Sequence, residues 1–193
     1  MPGMLTDHVS TDLHRPCRHL GSEAKGGYMY RIKELQESGL TDRELRALRK
    51  QKERVTTGIY RDHDLDPWAR YRLECVALVS RLGPSAALAG PSAALFWDLP
   101  KTNDPPDKVY VTGVTRGRYN DDLQVLGEFE TVEHEGMLLS TAAATVASCA
   151  TLLSSRDALI VADAVLADEL CTAEELIEQA AEMRGRKRAD RAR

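Results

Sequence analysis

The stretch Glu34–Arg61, ELQESGLTDRELRALRKQKERVTTGIYR, constrains this chain more than any other. Leu35 belongs to a short helix that Ser38-Gly39 brings to a stop. Thr41 then opens a second helix, and Glu44 three residues later completes a capping box, in which hydroxyl and carboxylate satisfy two otherwise orphaned amides. On that helix Leu45 and Leu48 share one face at i, i+3, and Arg43, Arg46, Arg49, Lys50 and Lys52 point mostly elsewhere. Arg54–Tyr60 follows as two short β-prone runs around a turn, the pattern of a wing. Helix, turn, helix and hairpin in this order form the back half of a winged helix-turn-helix, a unit built to lay one helix in a DNA groove. The plain alternative is a basic helix face that does nothing but stay solvated.

Charge segregation separates the two readings. Residues 31–61 hold nine Lys/Arg against five Asp/Glu, and residues 182–193 hold six against two, a net of +4 in each. Residues 62–181 carry eight against twenty, a net of −12, and residues 1–30 balance. A chain at −4 overall has gathered its positive charge into two short patches. Neutralising phosphate needs that local concentration rather than a high overall pI.

At 193 residues the chain holds one sizeable core, or a small domain plus a larger one. No run approaches the roughly 20 apolar residues that cross a bilayer. Asp7, His8 and Asp12 occupy the region where an export signal needs a basic start and an apolar block. Cys17, Cys75, Cys149 and Cys171 never form a C-x-x-C pair, which argues against a disulfide framework or a structural zinc and fits a reducing cytoplasm. Cys75 and Cys149 fall on apolar helix faces and read as small core residues.

Four segments are expected: a flexible leader over 1–27, a winged helix-turn-helix over 28–62, a mixed α/β domain with a small sheet and several helices over 63–183, and a frayed basic tail over 184–193. The fold class is α+β. Within the leader Asp12–Leu20 is a poor candidate for the first helix of the winged unit, because Pro16 interrupts it. Asp66 and Pro67 open an amphipathic helix with Tyr71, Cys75, Leu78, Val79 and Leu82 on one face, ended by Gly83-Pro84. Pro91–Trp97 reads as a short helix and 101–107 as a loop. Lys108–Thr112, Leu123–Leu126 and Glu128–Val132 read as strands, the last with Phe129 inward, and Glu135-Gly136 as a turn into Met137–Leu139. Thr141–Leu153, Ala158–Ala167 and Thr172–Met183 read as helices, the last opened by a second capping box from Thr172 and Glu175.

No catalytic constellation emerges, so the chain is read as a non-enzyme without cofactor. Asp62-His63-Asp64-Leu65-Asp66 has metal-binding residue types, but an EF-hand loop would need Gly where Pro67 stands and Glu where Leu73 stands. A solvated linker ending in an N-cap is the simpler reading. Glu128-Phe129-Glu130 lacks the lysine of a common nuclease motif. Ser92 is not in a G-x-S-x-G elbow, His134 has no partner at a useful spacing, and neither a Walker motif nor G-x-G-x-x-G is present.

The order of these pieces over residues 28–185 resembles the AbiE-type antitoxins of type IV toxin–antitoxin systems, in the form common in actinobacteria. Three segments carry the resemblance. Gly39-Leu40-Thr41-Asp42-Arg43-Glu44-Leu45 through Gly58-Ile59-Tyr60-Arg61 is the first. Ala87 through Pro100, ALAGPSAALFWDLP, is similar to that family's apolar "L-S-H-x-S-A-A-x-L-x-G-L-P" segment. Ser140–Thr145 with Asp157–Leu166 is similar to its "T-S-P-x-R-T-x-x-D" helix and the "A-x-x-A-A-D-A-x-L" helix after it. The resemblance implies a winged-helix domain that binds promoter inverted repeats and represses its own operon. It also implies an α/β domain that counters a nucleotidyltransferase-like toxin in phage defence. Gly90 stands where that family has histidine, Ala144 where it has arginine and Ser148 where it has aspartate. If an Arg–Asp pair ties the family's second domain together, this chain must hold that place by packing alone. Many relatives continue into a nuclease-like domain, a function the resemblance does not bring to residues 1–193.

The expected partners are therefore double-stranded DNA, a second copy of the chain on an inverted repeat, a cognate toxin, and no membrane. Arg43, Arg46, Arg49 and Lys50 are expected to face the groove; Lys52, Arg54, Thr56 and Thr57 are expected to touch phosphate or the minor groove from the wing. The competing reading is a protein-interaction module that binds a basic partner through its acidic 62–181 region without specific DNA binding. An enzyme built on Asp62–Asp66 is the third.

Overall fold

Thr41 and Glu44 form the capping box that their spacing anticipates: the Thr41 amide and hydroxyl donate to Glu44 Oε2 at 2.8 and 2.7 Å, and the Glu44 amide reaches back to Thr41 Oγ1 at 3.4 Å. A computed structural model describes residues 29–102, 104–114 and 121–191, the side chains as far as 183. Its first unit is β1 (Met29–Arg31), α1 (Ile32–Glu37), α2 (Asp42–Gln51), β2 (Glu53–Thr56) and β3 (Ile59–Arg61). The strands form an antiparallel sheet of order β1-β3-β2, with β2 and β3 joined by the Thr57-Gly58 turn. Leu45 and Leu48 of α2 are buried against Tyr30 and Ile32, with Leu35, Leu40 and Tyr60 alongside. Burying each leucine stabilises this small core by about 1.5–3 kcal/mol. The expected leader and its Asp12–Leu20 helix lie outside the described residues.

The larger unit begins where Asp66 caps α3 (Pro67–Leu82), accepting from the amides of Trp68 and Ala69 at 3.0 and 3.1 Å. It continues through β4 (Ala87–Leu88), α4 (Gly90–Phe96), β5 (Val109–Thr112), β6 (Leu123–Val125), β7 (Thr131–His134) and β8 (Met137–Ser140). Three helices close the chain: α5 (Ala142–Leu152), α6 (Ser155–Ala167) and α7 (Ala173–Arg191). The five strands form one mixed sheet of order β6-β5-β4-β8-β7. Over the described residues the protein is thus α+β, with seven helices and two small sheets.

Two cores meet on α4, which is buried along its whole length. Tyr71, Cys75 and Val79 of α3 pack with Leu88, Val109, Val111 and Leu139 from the central strands and with Ala93, Leu95 and Phe96. Ala94 faces the other way, toward Ala142, Val146 and Cys149 of α5 and Val161 and Val165 of α6. The small residues of α4 and α5 let these helices approach closely, which is why the alanine-rich α5 is buried from Ala142 to Cys149. Ser92 acts as a structural hydroxyl: it accepts from the Tyr110 amide at 2.8 Å and meets the Tyr71 hydroxyl at 2.6 Å, and Tyr71 donates on to the Lys108 carbonyl at 2.8 Å. Burial pushes the Cys75 and Cys149 thiols up to about 12, so both are inert core residues.

Two strands stand where no strand was expected, and two expectations need correction. β4 pairs antiparallel with β5 and parallel with β8 at the sheet centre, yet its two residues are too few to show a period. β1, also short, runs straight into α1. The strand expected over Glu128–Val132 starts at Thr131; Phe129 is half-buried in extended chain, its amide donating to Thr112 Oγ1 at 3.3 Å. The tail expected to fray from Arg184 continues α7 to Arg191, since Arg, Lys and Ala are good helix formers and only Gly185 opposes them. Gly113 sits at φ +73 with a Cβ position only 2.2 Å from the Ser85 carbonyl oxygen, so no side chain fits there.

Gly90 and Ser148, two of the positions that depart from the resemblance, face each other. A Cβ on Gly90 would lie 3.5 Å from Ser148 Oγ, 3.2 Å from Leu152 Cδ1 and 3.3 Å from Leu126 Cδ1. Ser148 is buried and its hydroxyl is satisfied by the carbonyls of Ala144 and Thr145 at 2.8 and 2.9 Å. No charged pair occupies this place; packing does. Because Gly90 also holds φ +53, Gly90→Ala is expected to cost about 1–3 kcal/mol from left-handed strain and overpacking. A lowered urea midpoint with an unchanged slope would register it.

Candidate nucleic-acid interface

α2 presents two faces. Leu45 and Leu48 turn into the core, and on the opposite side Arg43, Arg46, Ala47 and Lys50 line a shallow open groove together with Asp42. Arg43, Arg46 and Lys50 recur at i, i+3, i+7, which aligns them on one stripe. Arg49 is exposed on the flank. The capping box fixes where this helix begins. Its hydroxyl and amide donors also hold the Glu44 carboxyl below its ordinary value, with the Thr41 hydroxyl contributing most.

Ion pairing sorts the nine basic residues of 31–61. Arg31 pairs with Glu34 at 3.5 Å and Lys33 with Glu37 at 3.9 Å. Lys52 bonds to Asp62 and lies over the Tyr30 ring, 4.9 Å from its centroid. The Asp62 hydrogen bond is the main cause that raises the Lys52 pKa. Arg61 is 4% exposed and meets Glu53 at 3.0 Å and Glu74 at 2.6 Å. Arg43, Arg46, Arg49, Lys50 and Arg54 make no ion pair among the described residues, and all five are exposed. Arg54 of β2 donates to Thr57 Oγ1 at 2.9 Å at the start of the hairpin turn, where Thr57 is exposed as well.

Two expected wing contacts are thereby corrected. Thr56 is buried, and the Arg81 guanidinium of α3 donates to its hydroxyl, so it faces the junction and not an outer partner. Lys52 is half-buried and turned to Asp62. Two of the three linker carboxylates are also committed: Asp62 accepts from Lys52 and from the Tyr30 hydroxyl, and Asp66 caps α3. Among the described residues no three His, Cys, Asp or Glu side chains come together around a possible metal position. His134 packs at a tilt of 34° against Trp97, with ring centroids 4.5 Å apart.

The feature that sequence reasoning missed is the charged junction between the units. Arg70, Glu74 and Arg81 recur at i, i+4, i+11 along α3, a stripe that could have been read as a docking edge. Arg70 holds Glu53 at 2.7 and 2.8 Å, and Arg61 holds it from the other side. Arg61, chiefly, and Arg70 pull the Glu53 carboxyl down to about 2 against the opposing effect of burial. The folded value lies below the unfolded one, so the stabilisation is complete above the ordinary carboxylate pKa and drains away as pH falls toward 2. Glu53 is partly exposed, and solvent reduces the contribution to about 1–3 kcal/mol. The stability gap between the wild type and Glu53→Gln is expected to be open at pH 7 and to close on acidification from about pH 5 to 2. Paired urea titrations across that range would measure it.

No protein-family model matches the chain, and no curated protein matches it. Among solved structures, the crystal structure of RV2827C protein from Mycobacterium tuberculosis is similar at 16% identity and a TM-score of 0.47. The likeness covers 79% of this chain and 66% of that one, so this chain spans just under two thirds of that protein's length. Among the described residues no helix is long and apolar enough to cross a membrane.

Proposed function

We propose that this protein is a double-stranded-DNA-binding transcriptional regulator of the antitoxin type, its first unit a winged helix-turn-helix with α2 as the reading helix and β2–β3 as the wing. The sorting of charge supports this most. Four basic residues of 31–61 are neutralised within the chain, and the five without an ion pair among the described residues all lie on α2 or on strand β2 of the hairpin. A helix face merely kept solvated has no need of such segregation; a phosphate backbone does. Arg43, Arg46 and Lys50 then face base edges, and Arg49, Arg54 and Thr57 hold the sugar-phosphate backbone. Repression of its own operon and neutralisation of a nucleotidyltransferase-like toxin belong to the same proposal and rest on the family resemblance.

Fluorescence anisotropy against the duplex upstream of its own gene and a scrambled duplex tests the reading. Tighter binding to the upstream duplex is expected. With Arg49 and Arg54 of each protomer on phosphate, the log–log salt slope should be about −2 per bound copy. Indifference to both duplexes at low salt would leave the competing reading, a protein-interaction module. The net of −12 over residues 62–181 favours that reading, because it would suit a basic protein partner.

A further inference from the structure

Besides Ile177 of α7, 70% exposed, and Val132 of β7, 40%, four exposed large apolar side chains gather on α6 and just beyond it: Leu159 is 63% exposed, Ile160 41%, Leu166 38% and Leu170 37%. The other side of α6 is spent on the core through Ala158, Val161 and Val165. Chains that fold alone rarely leave an apolar stripe of this kind uncovered. We infer that the outer face of α6 is where two copies of this chain pair, with their α6 helices antiparallel. The residues that flank the leucine and isoleucine suit a second copy of the same face. Arg156, Leu159, Ile160 and Asp163 follow one another at i, i+3, i+4, i+7 on a single face. Arg156 and Asp163 are both exposed, and neither has an ion pair among the described residues.

A two-fold axis passing between Leu159 and Ile160 brings Leu159 level with the partner's Ile160. The same axis brings Arg156 level with the partner's Asp163, and symmetry repeats both contacts, as an isologous interface requires. The contact is thus apolar at its centre, with Arg156 and Asp163 cancelling across the axis, and complementary to itself; Asp168 and Glu169, also exposed, lie further along between Leu166 and Leu170. The net −12 of residues 62–181 opposes pairing at long range, but screening over about 8 Å at physiological salt leaves only groups rimming the contact to count. The inference rests on the DNA-binding reading, in which two copies occupy an inverted repeat. Its test is run without DNA, so the two can fail separately.

Sedimentation equilibrium of the full chain over about 1–100 µM is expected to show a reversible dimer. Leu159→Asp should raise the dimer Kd about 10- to 100-fold without loss of helical circular dichroism, since the side chain it replaces is mostly in solvent. Arg156→Asp and Asp163→Arg should each weaken pairing, and the two together should restore it, because the swapped pair faces itself again. A wild type that stays monomeric throughout, a Leu159→Asp chain that pairs as tightly, or a double swap no better than either single change overturns the inference.

Discussion

Arg61→Ala is expected to lower the unfolding free energy by about 3–5 kcal/mol, a large share of the 5–15 kcal/mol typical of a domain. The guanidinium is nearly fully buried, with Nε and NH2 on Glu53 at 3.2 and 3.0 Å and NH1 on Glu74 at 2.6 Å. Burial works against its charge, yet Glu53 and Glu74 more than offset that, and its pKa is raised. Alanine removes the cation and strands the carboxylates it served. Glu53 keeps Arg70, whereas Glu74 loses its partner, so the cost arises chiefly on α3. Two companions test that origin. Arg61→Lys should recover only part of the loss, because one ammonium cannot serve two carboxylates in the fork geometry. Arg61→Met with Glu74→Leu should cost less than the sum of the single changes, because no charge is then left stranded. Urea midpoints at pH 7 give all three values. A loss below about 1 kcal/mol for Arg61→Ala would mean that the cluster is solvated like an ordinary surface pair.

This junction also marks where sequence reading stops. Arg61 is one basic residue among nine in its segment, and nothing local sets it apart from Arg54. The difference comes from β3 carrying Arg61 beneath α3, where Glu74 is brought to it from thirteen residues away. Long-range placement of that kind has no signature in a period or a spacing. Lys52 and Thr56 miss their expected outward roles for the same reason, since Asp62 and Arg81 reach them only once the sheet and α3 have docked. Elements with a strong local cause were legible instead. The capping boxes at Thr41 and Thr172, the Asp66 cap, and the Glu135-Gly136 turn with both φ values positive were all readable from a few residues. The helical face of Tyr71, Cys75 and Val79 was readable from its 3.6-residue period.

The sheet order lies between these cases. Lys108–Thr112 and Met137–Leu139 look like strands because their residues are β-branched or apolar. That β4 joins them depends on Ala87 and Leu88, two residues that sequence reading assigns to an apolar segment without a conformation. Gly90 follows directly. Its lack of a side chain is read from sequence only as a departure from histidine, but in the fold it is the condition for α4 to lie against Leu126 and Leu152. A departure from a family pattern thus acquires a physical reason once the neighbours are known.

The double change Arg43→Ala/Arg46→Ala is expected to weaken binding to the upstream duplex by about 100-fold or more, since each groove-facing arginine contributes roughly 1–3 kcal/mol. The change should leave stability within about 0.5 kcal/mol, because both side chains are exposed and without an ion pair among the described residues, and the leucines that anchor α2 are untouched. The same titration on Lys52→Ala carries the sharper test. Charge counting treats Lys52 as one more basic residue of the patch and assigns it an equal share. In the fold Lys52 is already spent on Asp62 and the Tyr30 ring, so its removal should change affinity by no more than about threefold. Equal losses for Lys52→Ala and Arg46→Ala would show that DNA responds to the net charge of the segment and not to the outer face of α2. A large loss confined to Arg43 and Arg46, with the preference for the upstream over the scrambled duplex relaxed, would fix α2 as the reading helix.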